Sequence, residues 1–118
     1  MQKEFNILPI PKPRMTQSDK WGKREIVQRY WAFKKEVRAL RLSVENGDGI
    51  QFTIPMPTSW SKKKKKEMLG QPHQQKPDID NLLKALLDAV YDDDCCIYKL
   101  SELEKIWGIS GKIRITQV

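Results

Sequence analysis

Asp78 and Asp80, one residue apart, stand at the head of an apolar-periodic run, Ile79, Leu82, Leu83, Leu86, Leu87 and Val90, in which Lys84 and Asp88 follow Asp80 at intervals of four. On a helix that run is one broad buried face, and Asp80, Lys84 and Asp88 form an aligned polar stripe on the other. Two carboxylates at the start of a helix can converge on a divalent ion. Mg²⁺ in particular prefers a few carboxylates, completed by water and phosphate oxygens, to a closed protein cage. A third carboxylate is on offer from Asp92-Asp93-Asp94. Lys84, one turn beyond Asp80, could stabilise charge on a scissile phosphate or position an attacking water. The same residues allow a plainer reading, with Asp78 as a helix N-cap and Asp80 and Lys84 as a surface ion pair of about 0.3 to 0.5 kcal/mol.

The elements that must position these residues can be read along the chain. Residues 3–8 alternate polar and apolar as a half-buried strand ended by Pro9, and Pro9-Ile10-Pro11-Lys12-Pro13-Arg14 can be neither helix nor central strand. From Lys23 to about Leu42, apolar residues recur at largely helical spacing with bases between them. Asn46-Gly47-Asp48-Gly49 signals a turn, and Ile50 to Ile54 alternates as a strand toward Pro55 and Pro57. Ser59 or Ser61 is placed to cap a short basic helix over about Trp60 to Leu69, closed by Gly70, after which residues 71–77 read as a polar loop. The acidic helix spans about Asp80 to Val90, and two strands follow, about Ile97 to Trp107 and Lys112 to Thr116. The order β-α-β-α-α-β-β predicts one α/β (α+β) domain over residues 1–118, a mixed sheet with helices packed on it.

Charge sharpens the contrast around Asp78. The chain of 118 residues has a net charge of +7, with a pI near 9.5, yet residues 77–118 carry five bases against eight acids. Residues 1–42 hold eleven bases against four acids, and residues 62–76 six against one. Such a balance favours nucleic acid or an anionic membrane surface as partner. No apolar run approaches the ~20 residues that span a bilayer, and the polar N-terminus lacks a signal-peptide core, so a soluble intracellular protein is expected. Cys95 and Cys96 are adjacent, which argues against a disulfide scaffold, and the single His73, without a CxxC pair, argues against structural zinc. His73 among polar loop neighbours is expected to be solvated.

Asp78-x-Asp80-Asn81-x-x-Lys84-x-x-x-Asp88-Ala89, followed by Tyr91-x-Asp93-Asp94-x-x-Ile97, resembles the signature of the RusA family of Holliday-junction resolvases, largely encoded by phages and prophages. Pro9-x-Pro11-x-Pro13-Arg14 is similar to the Pro-rich segment after that family's first strand. The resemblance implies a Mg²⁺-dependent endonuclease, with Mn²⁺ as a substitute ion, acting as a homodimer that places paired nicks across four-way DNA junctions in the cytoplasm of a bacterial host. Carried over by position, Asp78, Asp80 and Asp94 are its catalytic metal-binding carboxylates and Lys84 its essential lysine, with Asn81, Asp88 and Asp93 in supporting positions. Asp88, one turn after Lys84, is placed to orient it. Two departures stand out: the segment between Asp88 and the Asp93-Asp94 pair is shorter than is usual in the family, which gives Asp92 an alternative register as third ligand, and Cys96 stands where the family often has Gln. The competing class is a non-catalytic basic DNA-binding phage protein, a regulator or packaging factor, whose acids only cap and solubilise a helix.

Two basic segments are candidates for the DNA backbone: Lys12, Arg14, Lys20, Lys23 and Arg24 in and after the Pro-rich stretch, and Lys62, Lys63, Lys64, Lys65 and Lys66, with Lys76 beyond. A run such as Lys62 to Lys66 also suits a solvated helix face. Trp21, Trp31, Trp60 and Trp107 suit core or interface positions better than stacking platforms, with Trp21 and Trp60 the better stacking candidates because they lie in basic loops.

Overall fold

The computed structural model describes residues 1–14, 25–92 and 94–117, with Asp94 described through its backbone. Four strands, β1 (Gln2–Phe5), β2 (Gly49–Pro55), β3 (Glu102–Gly108) and β4 (Lys112–Thr116), form one mixed sheet in the order β1-β4-β2-β3. β4 runs antiparallel to both β1 and β2, whereas β2 and β3 are parallel, with Ile50 opposite Leu103 and Ile54 opposite Trp107. A parallel pair needs a crossover. Here the crossover carries α2 (Lys62–Met68) and α3 (Ile79–Val90), while α1 (Glu25–Ala39) precedes β2. This is the α+β architecture that the element order predicts.

Alternation along β2 and β4 sends Ile50, Phe52, Ile113 and Ile115 to one face, and all four are buried there. Tyr30, Phe33 and Val37 of α1 and Leu82, Ala85 and Leu86 of α3 join them in one core, so both long helices cover that face of the sheet. Burying six such apolar side chains at helical spacing is what holds α1 and α3 together.

The element ends depart from the sequence reading, β1 and α1 for local reasons and β3 for a distant one. β1 stops at Phe5 rather than at residue 8, because Ile7 N–H turns back onto the Phe5 carbonyl at 3.0 Å. α1 stops at Ala39 rather than near Leu42: Arg41 adopts a left-handed φ of 55°, and Leu42 N–H returns to the Val37 carbonyl at 3.2 Å, the closing bond of a Schellman cap. The start of the predicted helix, Lys23 and Arg24, lies outside the described residues. β3 begins at Glu102 rather than near Ile97, since the Asn46 turn claims the preceding backbone. Asn46 Oδ1 accepts from Tyr98 N–H at 2.8 Å, Gly47 N–H donates to the Lys99 carbonyl at 2.8 Å, and Ser101 N–H donates to the Asp48 carbonyl at 2.9 Å.

Leu86 has no solvent exposure, whereas Leu40, just past α1, is 40% exposed. Leu86→Ala should therefore cost about 2 to 5 kcal/mol in urea unfolding and Leu40→Ala less than about 0.5 kcal/mol; equal losses would mean that α3 does not anchor the core.

Candidate nuclease site

Asp78 takes the N-cap position of α3 with extended backbone, φ −68° and ψ 144°, and its carbonyl receives Leu82 N–H, but its carboxylate makes no capping hydrogen bond. Asp80, in the first turn, accepts from the neighbouring Asn81 N–H at 3.0 Å through one oxygen. Both side chains are exposed, as is Lys84, and among the described residues no ion pair joins Asp80 to Lys84. Neither acid is thus consumed by the capping or pairing that the plainer reading required. Carboxylates at a helix N-terminus are also favoured by the helix dipole, so two negative charges can sit here at little cost.

The loop that delivers Asp78 is tied to the edge of the sheet. Gly70 N–H donates to the Trp107 carbonyl, Trp107 N–H to the Gln71 carbonyl, and His73 N–H to the Lys105 carbonyl, at 2.9, 3.0 and 3.0 Å. Pro72 bridges Ile106 in antiparallel sense, so residues 70–73 extend the sheet beyond β3. Lys105 projects beneath the next residues, where its ammonium donates to the Gln75 carbonyl and, at 2.6 Å, to the Pro77 carbonyl. Burial pushes the Lys105 pKa down while the nearby Asp78 charge acts in the opposite direction. Sequence periodicity marks Lys105 only as a strand residue; its role at the start of α3 is a property of the fold.

His73 is a correction to the sequence reading: it is only 3% exposed, packed on Trp107 with ring centroids 4.2 Å apart. Its polar neighbours suggested solvent, but pairing of the loop backbone with β3 turns the ring inward. Burial, and then the Lys105 charge, push its pKa down, which favours the neutral ring, and Nδ1 has no hydrogen-bond partner among the described residues. Trp107 is buried as a core tryptophan should be. Trp60 is half-buried, 4.7 Å from Trp107, and Lys64 lies 4.3 Å above its ring, so these contacts make it part of a packed cluster rather than an open stacking platform. Trp21 lies outside the described residues.

The Pro-rich segment closes the other side of the stripe. Pro9 and Pro13 are buried, Lys12 N–H donates to the Asn81 carbonyl at 3.1 Å, and the Lys12 ammonium meets Asp88 at 2.6 Å. Tyr30 of α1 donates its hydroxyl to the same Asp88 oxygen at 3.0 Å. Asp88 is accordingly engaged by Lys12 and Tyr30; no contact of the described residues joins it to Lys84, the partner its spacing suggested. Burial would raise the Asp88 pKa, but hydrogen bonds from Lys12 and Tyr30, with the charges of Lys12 and Lys34, outweigh it and hold it below the usual Asp value. Lys12, Pro13, Arg14, Asn81, Lys84 and Asp88 line one open cleft of about 450 Å³. The first basic patch and the acidic helix, far apart in sequence, are thereby brought together; Lys20, Lys23 and Arg24 lie outside the described residues.

Of the acidic loop, Asp92 is exposed and 3.9 Å from Arg38, Asp93 lies outside the described residues, and Asp94 opens a 3-10 turn, Asp94–Cys96. Among the described residues no three His, Cys, Asp or Glu side chains form a metal-sized cluster. The donor set at α3 consists of two exposed carboxylates, hard oxygen ligands of the kind Mg²⁺ takes with water completing its shell, so the residues present fit that ion. Lys62 to Lys66 form α2, capped by Ser61, whose hydroxyl accepts Lys64 N–H at 3.2 Å, and no residue of α2 is buried. Lys76 is exposed on the loop between α2 and α3.

Comparison of the chain with families of known proteins gives a match over residues 6–116 to the family described as endodeoxyribonuclease RusA. The chain belongs to the RusA family. The matched range takes in the whole acidic stripe, the Pro-rich segment and the acidic loop, which is as the resemblance of the motif implies. No curated protein matches the chain. Membership makes this RusA-family protein a DNA nuclease, and the cleft between Lys12, Arg14 and Lys84 is where its structure sets bases against the polar side of α3. Among the described residues no helix is long and apolar enough to cross a membrane.

The Asp88 anchor has a pH signature. Because the folded-state pKa is depressed, its contribution is present above the ordinary Asp value of 3.8 and is lost as pH falls through the folded value. Asp88→Asn should cost about 1 kcal/mol at neutral pH, discounted for the partial exposure of Lys12, and the gap to wild type should close in acid. Urea titrations across this pH range that show a constant gap would contradict the assignment.

Proposed function

We propose that the protein is a Mg²⁺-dependent, structure-selective endonuclease that resolves four-way junctions, and acts on other branched DNA, by paired nicking as a homodimer. The observation that carries this reading is the pair Asp78 and Asp80, exposed and without an ion pair among the described residues, at the head of the helix whose Asn81, Lys84 and Asp88 line a cleft with Lys12 and Arg14. A non-catalytic binder has no use for carboxylates set against phosphates, and among the described residues neither the side-chain cap nor the ion pair with Lys84 that would have justified them is present.

In this reading Asp78, Asp80 and Asp94 hold the Mg²⁺, with Mn²⁺ as substitute. The chemistry such an ion supplies when bound is activation of a water and neutralisation of charge on phosphate oxygens. Lys84 projects from the same stripe and binds a non-bridging oxygen of the scissile phosphate or orients the attacking water. Lys12 and Arg14 bind the phosphates flanking it, and Asp88 holds Lys12 in place. Asn81 anchors the Pro-rich segment through its carbonyl, so its supporting role is structural. Asp93 stands beside Asp94 as a further support, and Asp92 is the alternative third ligand. A two-fold dimer would offer two such clefts to two opposed strands. Lys62 to Lys66 and Lys76 supply a second, exposed basic surface for the DNA arms. A phage- or prophage-encoded enzyme working in the cytoplasm of a bacterial host, as the motif resemblance implies, is part of the same reading.

A labelled four-way junction offered to wild type and to Asp80→Asn, in Mg²⁺ and in EDTA, tests the catalytic assignment. The variant should bind within a few-fold of wild type and cleave at least roughly 100-fold more slowly, a larger loss than the 10- to 100-fold typical of outer-shell partners. Unimpaired cleavage by Asp80→Asn, or none by wild type in any divalent metal, removes it. Separately, Lys63→Gln, Lys64→Gln and Lys65→Gln combined should weaken binding and flatten its salt dependence by about 0.9 for each lysine in phosphate contact. An unchanged slope would leave α2 as a solvated face.

A further inference from the structure

The charges of α1 lie in two separate stripes. Glu25, Arg29 and Glu36 lie on one side, where Arg29 is spent on Glu25 at 2.7 Å; Lys34, Lys35 and Arg38 lie on the other. Helical spacing puts Trp31 with that basic stripe, one turn before Lys34 and Lys35 and two before Arg38. Its indole is 42% exposed, although the neighbouring Tyr30 and Phe33 are buried in the core. Trp31, Gln28, Lys34, Lys35 and Arg38 line an open groove of about 510 Å³. Among the described residues no carboxylate lies within ion-pair distance of Lys34 or Lys35.

The stripe is continuous with the candidate site. Lys34 sits 5.5 Å from the Tyr30 ring centroid, and its charge reaches Asp88, the residue that also holds Lys12. Arg38 donates to the Ala89 carbonyl at 3.2 Å. The basic side of α1 therefore lies beside the C-terminal end of α3, at Asp88 and Ala89. A second copy of the chain docked here by a two-fold contact would set this cationic stripe against itself, an unfavourable pairing of like charges. A polyanion meets no such penalty.

We propose that this outer face of α1 is a second DNA-binding site, in which Lys34 and Lys35 hold backbone phosphates and Trp31 stacks on a base that a branch point leaves unstacked. The inference rests on the branched-DNA reading and adds to it the residue that senses the branch. In continuous duplex both faces of each base are covered by neighbours, so an exposed indole finds a partner only where stacking is interrupted. Base–aromatic stacking is tolerant of sequence, as structure selectivity requires.

The test is equilibrium binding of the full chain, in EDTA, to a four-way junction and to a linear duplex of the same sequence. Trp31→Ala should weaken junction binding about tenfold and leave duplex binding within about twofold, while Trp31→Phe keeps most of the junction affinity. Lys34→Gln with Lys35→Gln should flatten the salt slope by close to 2 on both DNAs. Unchanged junction binding by Trp31→Ala, or an equal loss on both DNAs, overturns the stacking role. Sedimentation that shows Trp31→Ala shifted to monomer overturns the site altogether, because the face would then join copies of the chain. If wild type binds neither DNA, the nuclease reading fails and this inference with it; if wild type binds and the variants match it, the α1 site alone fails.

Discussion

A single carboxylate, that of Asp88, receives the Tyr30 hydroxyl from α1 and the Lys12 ammonium from the Pro-rich segment, and so fixes three parts of the chain that share no local sequence. The Pro-rich segment needs such an anchor because proline has no N–H to offer; of its backbone donors, Lys12 N–H goes to the Asn81 carbonyl. Half-burying a carboxylate is costly unless its oxygens are hydrogen-bonded. Here the net shift is toward the charged form, which means that its partners more than offset the lost solvation. An apolar contact at this point would hold α1 against α3 equally well, but it would not select where Lys12 lies along the helix.

Acids of identical chemistry are put to different uses along α3 by position alone. Asp88 lies late in the helix, covered by the Pro-rich segment and α1, and is spent on structure. Asp78 and Asp80 lie at the N-terminal end, exposed, where the unpaired backbone N–H groups favour negative charge without neutralising it. The surrounding bases have other partners: the Lys105 ammonium donates to backbone carbonyls, though the Asp78 charge acts on it, and Lys12 pairs with Asp88. An acidic island can therefore persist inside a chain of net charge +7 without collapsing into surface ion pairs.

Periodicity is a local signal, and it located what local physics decides. α3, β2 and β4 stand within about a residue of their predicted positions, since each buries one face at its own repeat. The failures at β3, His73 and Asp88 are non-local. Residues 97–101 have strand-like composition, yet Asn46 and the turn that follows it compete for their backbone and win. His73 sits among polar neighbours, yet the backbone of residues 70–73 pairs with β3 and carries the ring inward onto Trp107. Asp88 was matched to Lys84 because helical spacing can propose only partners on the same helix, whereas its actual partners come from distant segments. The acidic motif itself was legible because its chemistry is written in contiguous residues.

The same distinction explains why α3 can hold carboxylates in register. Its start follows Gln75 and Pro77, whose carbonyls are fixed by Lys105 from β3, and β3 lies in the sheet parallel to β2. Near its end, Arg38 of α1 takes the Ala89 carbonyl, a cation at the C-terminal end where the dipole favours one. Between them, Leu82, Ala85 and Leu86 are buried in the core, and Asp88 is held on the opposite stripe. A one-turn slip of the helix would break all three attachments at once. Catalytic groups need placement within fractions of an ångström, and such placement comes from rigid elements supported by a surrounding shell. In this fold the shell is drawn from β3, α1 and the Pro-rich segment, so the position of Asp78 and Asp80 is determined largely by residues distant in sequence from the acidic motif.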